Sequence, residues 1–365
     1  MNINGHGGDV YAASRELGCG VERIVDFSAS INPLGPSPRV WRALSHAHEA
    51  LKHYPDPTCL DLRTALASLW GCSVGHIIVG NGSTELIHLL PTSLGLRHLL
   101  IVGPTFSEYA ASMVRMKRRI TTVYAERREG YRPPIERIAS LLGRKPPRHG
   151  GIDSVVLCNP NSPTGQACDA AAVMRLARMA QRRKVLFIVD EAFVDYCPER
   201  SVLPLSSNVP NVIVLRSLTK FFGLPGLRVG YAVAARSLVE RMERHLPPWS
   251  VNALGQLAGL AALKDEHHAT RSLLYMKGER KRFLAKLTTL RGFVAFPSEA
   301  NFLMLELPPG CSAAMVAAQL RRKGLLVRDG SSIPGIERQT LRIAVRTRQE
   351  NDRLINALSG LFTHR

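Results

Sequence analysis

Six short apolar runs recur between residues 77 and 234: 77–79 (IIV), 99–102 (LLIV), 154–158 (SVVLC), 185–189 (VLFIV), 212–215 (VIVL) and 229–234 (VGYAVA). The stretches between them read as helices. Thr58 stands where a helix cap belongs, with Asp61 three residues on, Leu62, Leu66 and Leu69 on one face, and Gly71 as the stop. Apolar strands separated by helices imply an α/β sheet covered on both faces.

After Pro247-Pro248 the pattern changes. A long helical stretch, 251–290, precedes strand-like segments at 302–307, 325–328 and 341–345, a helix at 312–323 and a C-terminal helix. A chain of 365 residues is too long for one simple core and suits a large domain with a smaller α+β one. The expected division is an N-terminal segment at 1–40, a large domain at 41–248, and an interdomain helix with a small C-terminal domain at 249–365.

Composition narrows the function classes. At 45% hydrophobic and 21% charged, the chain is ordinary for an α/β enzyme. Its best apolar stretch, 251–263, is too short to span a bilayer and carries Asn252 and Gln256. The start, MNINGH, lacks a basic-then-apolar signal pattern, so the expected location is cytoplasmic. Seven scattered cysteines without C-x-x-C spacing argue against a disulfide framework or a zinc site. The net charge of +19 makes a nucleic-acid role admissible. However, the basic clusters at 115–119, 144–148, 182–184, 277–282 and 321–323 lie in different elements without interleaved aromatics. They read as solvated faces, and they can steer an anionic substrate.

The chemistry sits where the runs end. Ser217-Leu218-Thr219-Lys220 follows 212–215. A lysine just past a buried strand can form a Schiff base, while the hydroxyls and Arg228, beyond a glycine-rich stretch, can hold a phosphate. Residues 159–165 (NPNSPTG) follow 154–158 and by composition alone are a turn. Asp190-Glu191 closes 185–189, at the edge where open α/β sheets place ligands. Gly80-Asn81-Gly82-Ser83-Thr84-Glu85 follows 77–79 and opens a helix, whose N-terminal amides and hydroxyls suit a phosphate.

In this order the four segments resemble the fold-type-I pyridoxal phosphate enzymes, the aspartate aminotransferase superfamily, from about residue 20 to the C-terminus. The resemblance implies a large domain with a mainly parallel seven-stranded sheet and a smaller α+β domain with which the N-terminal segment packs. It implies pyridoxal 5'-phosphate on Lys220, with Asp190 at the pyridine nitrogen and Asn161 at the phenolic oxygen. Ser83, Thr84, Ser217 and Arg228 would bind the cofactor phosphate, Gly82 would allow close approach, and Phe106 would stack on the ring. Tyr54 matches a residue that reaches the neighbouring subunit's cofactor phosphate, which implies a homodimer. Phe193 departs from the pattern, because many aminotransferases carry a tyrosine donor there.

The segments His6-Gly7-Gly8, 26–35 (DFSASINPLG) and 341–347 (LRIAVRT) narrow the match. They are similar to the threonine-phosphate decarboxylases of cobalamin biosynthesis. The related histidinol-phosphate aminotransferases usually lack the HGG start and carry glycine at the position of Arg346. This resemblance implies decarboxylation of L-threonine O-3-phosphate to (R)-1-amino-2-propanol O-2-phosphate and CO2. Arg342 would hold the carboxylate, Arg328 and Arg346 the substrate phosphate, and His6 and Asn32 would line the site. Neither a metal nor a membrane is expected. The alternatives are a histidinol-phosphate-type aminotransferase, a decarboxylase of a related phospho or phosphono amino acid such as serine phosphate, and a basic scaffold or nucleic-acid binder without activity.

Overall fold

The computed structural model describes residues 7–143, 151–206 and 209–362. In chain order the strands are β1 (Val25–Asp26), β2 (Ile77–Asn81), β3 (His98–Gly103), β4 (Arg119–Tyr124), β5 (Ser154–Cys158), β6 (Leu186–Asp190), β7 (Val212–Ser217) and β8 (Val229–Ala234). They continue as β9 (Val294–Phe296), β10 (Phe302–Glu306), β11 (Leu325–Leu326), β12 (Arg328–Asp329) and β13 (Thr340–Ala344).

The large sheet has seven strands in the order β2-β8-β7-β6-β5-β3-β4. Strand β8 is antiparallel to both neighbours, and all other pairings are parallel. β2 therefore runs with β7, so the strand ends at Asn81, Gly103, Cys158, Asp190 and Ser217 all reach one edge. Alternation along each strand explains the unbroken apolar runs. Val155, Leu157, Phe187, Val189, Val212 and Val214 pack with Val173, Leu176 and Ala177 of the helix Ala170–Arg182. Their neighbours Val156, Ile188, Ile213 and Leu215 pack with Leu86, Ile87 and Leu90 of the helix Gly82–Ser93. Both faces are buried, as parallel sheets require.

Local details differ from the sequence reading. β4 lies at the sheet edge, where only Val123 among its residues is buried, so its apolar signal is weak. The helix Leu60–Trp70 is started by Asp56, not Thr58: Asp56 Oδ2 accepts from Leu60 N at 2.6 Å, and Oδ1 accepts from Thr58 N at 2.9 Å. Gly71 does end it, at φ 60. The stretch 251–290 is two helices, Ala253–Leu263 and Glu266–Thr288, with Asp265 accepting from His268 N at 3.1 Å to begin the second.

The C-terminal part forms an antiparallel sheet, β12-β13-β10-β9, and β11 pairs in parallel with β1 from the N-terminal segment. Val25 and Phe27 share a core with Phe302, Leu305, Leu341 and Ile343, closed by Phe283, Leu320 and Leu354 from helices. Asp26 lies opposite Leu326, and Arg328 lies directly opposite Arg342. Among the described residues, no helix is long and apolar enough to cross a membrane.

A buried charge cluster ties the ends of β6 and β7. Arg216 donates to Glu191 Oε2 at 2.8 Å and to Asp195 Oδ1 at 2.6 Å, and its guanidinium lies 4.7 Å from the Trp70 ring centroid. Glu191 also accepts from Ser201 Oγ at 2.7 Å and Val202 N at 2.6 Å. Removing the cation would leave two buried carboxylates without it. Arg216→Met is expected to destabilise the cofactor-free protein by about 3–5 kcal/mol, read by urea denaturation. A loss under about 1 kcal/mol would show that the cluster is not needed for stability.

Candidate active site

A cavity of about 750 Å3 opens at the edge where the parallel strands end. Ser83, Thr84, Phe106, Asp190, Phe193, Ser217, Lys220, Arg228, Arg328 and Arg342 all line it. Ten residues singled out in sequence thus share one wall system, although they come from both parts of the chain.

One end is built for an anion. The helix Gly82–Ser93 starts without a side-chain cap, which leaves its first N–H groups for an anion. Glu85 reaches back to accept from Asn81 N at 2.6 Å. Ser83, Thr84 and Ser217 add hydroxyls, and Arg228 adds a guanidinium. Gly82 takes φ +76, and a Cβ there would come within 2.5 Å of Arg228 Nη2. A Cβ at Gly230 would overlap the Ser83 amide nitrogen, so this turn can lie against β8 only if that residue is glycine. Arg228 itself takes φ 53, an uncommon backbone for a residue with a Cβ.

The opposite pole is Asp190, buried at the end of β6. Its Oδ2 accepts from Tyr109 Oη at 2.8 Å and Cys158 Sγ at 3.7 Å, and its Oδ1 accepts from Ala192 N at 2.9 Å. Burial pushes its carboxyl above the usual range, while these donors and the charge of Lys220 pull it back. An anion so placed suits a protonated ring nitrogen. Between the poles lies Lys220, its Nζ 5.9 Å from the Phe193 ring centroid. Burial first, then the charges of Arg342 and Arg228, lower its pKa to about 8. An anion cradle at a helix start, a lysine and a buried acid in one cavity fit a phosphorylated pyridine aldehyde.

Elsewhere on the cavity wall, Arg342 Nη1 donates to Ser162 Oγ at 3.1 Å and Nη2 to Ser28 O at 2.7 Å, while its Nε has no partner. Burial and the neighbouring Arg328 lower the Arg342 pKa to about 10. Neither guanidinium has a carboxylate within ion-pair distance among the described residues. Two arginines directly opposite one another across paired strands repel.

Other residues stand off the wall. Asn161 is buried just behind it, between Pro160 and Ser162, which do line the cavity. Its Nδ2 donates to Pro104 O at 2.9 Å and has a second hydrogen, while its Oδ1 has no partner. Asn32 is engaged elsewhere, donating to Phe221 O and Ser272 Oγ, both at 2.8 Å. Arg346 is held by Glu350 at 3.0 Å and Asp26 O at 3.2 Å. Tyr54 is 79% exposed and stacks on Trp249 with centroids 4.6 Å apart. His6 lies outside the described residues. The sequence reading assigned no role to Tyr109, Ser162 or Ser28. Tyr109 stands three residues after Phe106, but nothing local shows that it meets an acid 81 residues away.

The lowered lysine is directly testable. Above about pH 8 its amine is neutral and nucleophilic. In cofactor-free protein, modification of Lys220 by trinitrobenzenesulfonate, followed by peptide mapping, should rise with a midpoint near pH 8. A midpoint near the ordinary 10.5 would contradict the placement.

The profile of the family described as aminotransferase class I and II matches residues 22–358. The threonine-phosphate decarboxylase of Salmonella typhimurium is 33% identical over 362 residues, covering 98% of this chain and 96% of that protein. The histidinol-phosphate aminotransferase of Moorella thermoacetica is 34% identical over 362 residues, covering 98% and 89%. The crystal structure of histidinol-phosphate aminotransferase from Sinorhizobium meliloti in complex with pyridoxal-5'-phosphate superposes with a TM-score of 0.83 at 25% identity, covering 97% of this chain and 94% of that one. With a matching profile over most of its length and relatives above 30% identity end to end, this chain belongs to the aminotransferase class I and II family.

Proposed function

We propose that the protein is a pyridoxal phosphate-dependent decarboxylase of L-threonine O-3-phosphate, yielding (R)-1-amino-2-propanol O-2-phosphate and CO2 for cobalamin biosynthesis. The observation that carries this is the pair Arg328 and Arg342, facing each other in the cavity without a carboxylate partner among the described residues. A substrate with a carboxylate and a phosphate answers both charges. Identity does not separate the two activities, at 33% and 34%. The residues do more: the HGG start, the 26–35 segment whose Ser28, Ala29 and Ser30 line the cavity, Arg346 and Phe193 all favour the decarboxylase. A dicarboxylate amino donor would also satisfy two arginines, so a histidinol-phosphate-type aminotransferase remains the reading to test against.

Bound in the cavity, the cofactor supplies a conjugated sink for the electron pair left at Cα when CO2 departs. The residues do the rest. Lys220 would hold the cofactor covalently and, once released and protonated, return a proton to Cα. Asp190, kept in place by Tyr109 and the Ala192 amide, would hold the proton on the ring nitrogen. Ser83, Thr84, Ser217 and Arg228 would take the cofactor phosphate, with Gly82 giving room. Phe106 would stack on the ring, and the second Asn161 N–H would serve the phenolic oxygen. Arg342 would bind the carboxylate in a bidentate manner and Arg328 the substrate phosphate. Held at both ends, the substrate would present its Cα–carboxylate bond perpendicular to the ring plane, the orientation that decarboxylation requires. An aminotransferase must instead present Cα–H.

Arg346 approaches from behind the wall, through Asp26, and the same reading counts His6 among the substrate-binding residues. The same reading carries a homodimer, with exposed Tyr54 reaching the neighbouring subunit's cofactor phosphate, and work in the cytoplasm.

CO2 release from threonine phosphate, set beside amino transfer from histidinol phosphate to 2-oxoglutarate, decides the reaction. The first is expected and little of the second; the reverse outcome would overturn the decarboxylase. Lys220→Ala is expected to abolish turnover. Arg328→Gln is expected to raise KM for threonine phosphate about 10- to 100-fold with a smaller change in kcat. An unchanged KM would remove Arg328 from the phosphate site.

A further inference from the structure

We propose that Asp26 is a positioning residue for the reaction: by fixing Ser28 it aims Arg342 and docks the Gly7-Gly8 segment against the same wall of the cavity. The inference rests on the decarboxylase reading, because it concerns the arginine assigned to the substrate carboxylate.

The end of β1 places Asp26 opposite Leu326, two residues before Arg328. A single carboxylate oxygen there, Oδ1, accepts from Ser28 N at 2.7 Å, Ser28 Oγ at 2.6 Å and Ala29 N at 3.2 Å. Such a side-chain-closed turn leaves the following residue little freedom. Ser28 then makes two outward contacts. Its carbonyl accepts from Arg342 Nη2 at 2.7 Å, and its hydroxyl oxygen accepts from Gly8 N at 2.8 Å. Gly7 lies so close that a Cβ would overlap the Ser28 carbonyl, and both Gly7 and Ser28 line the cavity. From behind, Arg346 Nη1 donates to Asp26 O at 3.2 Å while Glu350 holds its Nη2 at 3.0 Å. The remaining Arg342 donor with a partner is Nη1, on Ser162 Oγ, and Nε has none. Among the described residues Ser28 therefore supplies one of the two hydrogen-bond acceptors of that guanidinium, which also lies 5.3 Å from the Phe302 ring centroid. The charge of Asp26 also supports the protonated states of Arg342 and Lys220, though it stands behind larger influences at both.

A planar guanidinium fixes the plane of the carboxylate it binds, so its tilt sets how the Cα–carboxylate bond stands to the ring. Misplacement by about 1 Å is enough to lower a rate by about 10²-fold. The consequence is specific: loosening Asp26 should change which bond at Cα is activated as well as how fast turnover runs.

The holoenzyme is assayed with L-threonine O-3-phosphate in D2O, following CO2 release and deuterium uptake at Cα of unreacted substrate. Asp26→Ala is expected to lower kcat for CO2 release by about 10²-fold and to raise deuterium exchange relative to CO2. Asp26→Asn keeps an Oδ1 acceptor for all three donors and is expected to return that ratio to near the wild-type value. Added to Arg342→Leu, Asp26→Ala is expected to bring little further loss, since its effect runs through Arg342. An unchanged ratio in Asp26→Ala overturns the proposal, and so does equal damage in Asp26→Asn, which would mark a charge effect. Should Asp26→Ala fail to fold, Ser28→Ala removes only the hydroxyl shared with Gly8 and is read by the same ratio; a wild-type ratio there overturns it too. Absence of CO2 from the wild type is a separate failure, that of the decarboxylase reading, and appears before any variant is made.

Discussion

Arg216 stands between Glu191 and Asp195, and where those three charges sit determines where the two poles of the cavity sit. Glu191 directly follows Asp190, and Arg216 directly precedes Ser217, so the ion pair at 2.8 Å lies one residue from the buried acid and one from the hydroxyl that opens the lysine turn. Asp190 pairs with Leu215 in the β6–β7 register. A slip of one residue would flip every side chain to the other face and leave the guanidinium without its acids. A buried ion pair of this kind contributes less to net stability than its distance suggests, but it penalises wrong registers heavily.

From that fixed pair the rest of the site follows by topology. Strands β2, β3, β5, β6 and β7 run the same way, so their chemistry-bearing ends converge without any long-range design in the loops themselves. β8 runs against them, so its beginning, not its end, reaches this edge. That brings Arg228 to the cavity and requires glycine at 230, where the strand passes the Ser83 turn. The C-terminal sheet then contributes Arg328 and Arg342 from paired positions.

This division also explains what could be read from the sequence. The apolar runs, Lys220, Asp190 and the Gly82–Ser83 turn are local: each is a strand end followed at once by its functional group. Contacts across 81 residues, as between Tyr109 and Asp190, or 314 residues, as between Arg342 and Ser28, leave no periodic trace. Edge strand β4 has a weak apolar signal because exposed Arg119 and half-buried Thr121 and Thr122 stand where an interior strand carries apolar residues. Asp56 displaced Thr58 as the start of its helix because its carboxylate spans both Thr58 N and Leu60 N. Arg346 stood out in sequence as a charge where glycine is common, yet only packing could reveal that Glu350 and the Asp26 carbonyl hold it behind the wall.

Among the described residues the cavity walls carry Lys220, Arg228, Arg328 and Arg342 against two carboxylates, Asp190 and Glu108, the latter already paired with His88 at 2.7 Å, and that imbalance is itself informative. Mutual repulsion and burial already lower Lys220 to about 8 and Arg342 to about 10. Each of these groups is therefore held in a state less favourable than the one it would have in water. Such a site weakens the fold locally, most plainly where Arg328 and Arg342 oppose each other across β12 and β13. A phosphate at the Ser83 turn and a doubly anionic substrate at the arginine pair would remove the repulsion at each place in turn. The positive surface acts in the same direction, raising the local concentration of anions before any contact forms. On the proposed reading, binding free energy would then be greatest for ligands carrying negative charge at both ends. A substrate charged at one end alone would leave one arginine of the opposed pair uncompensated and its own Cα free to turn.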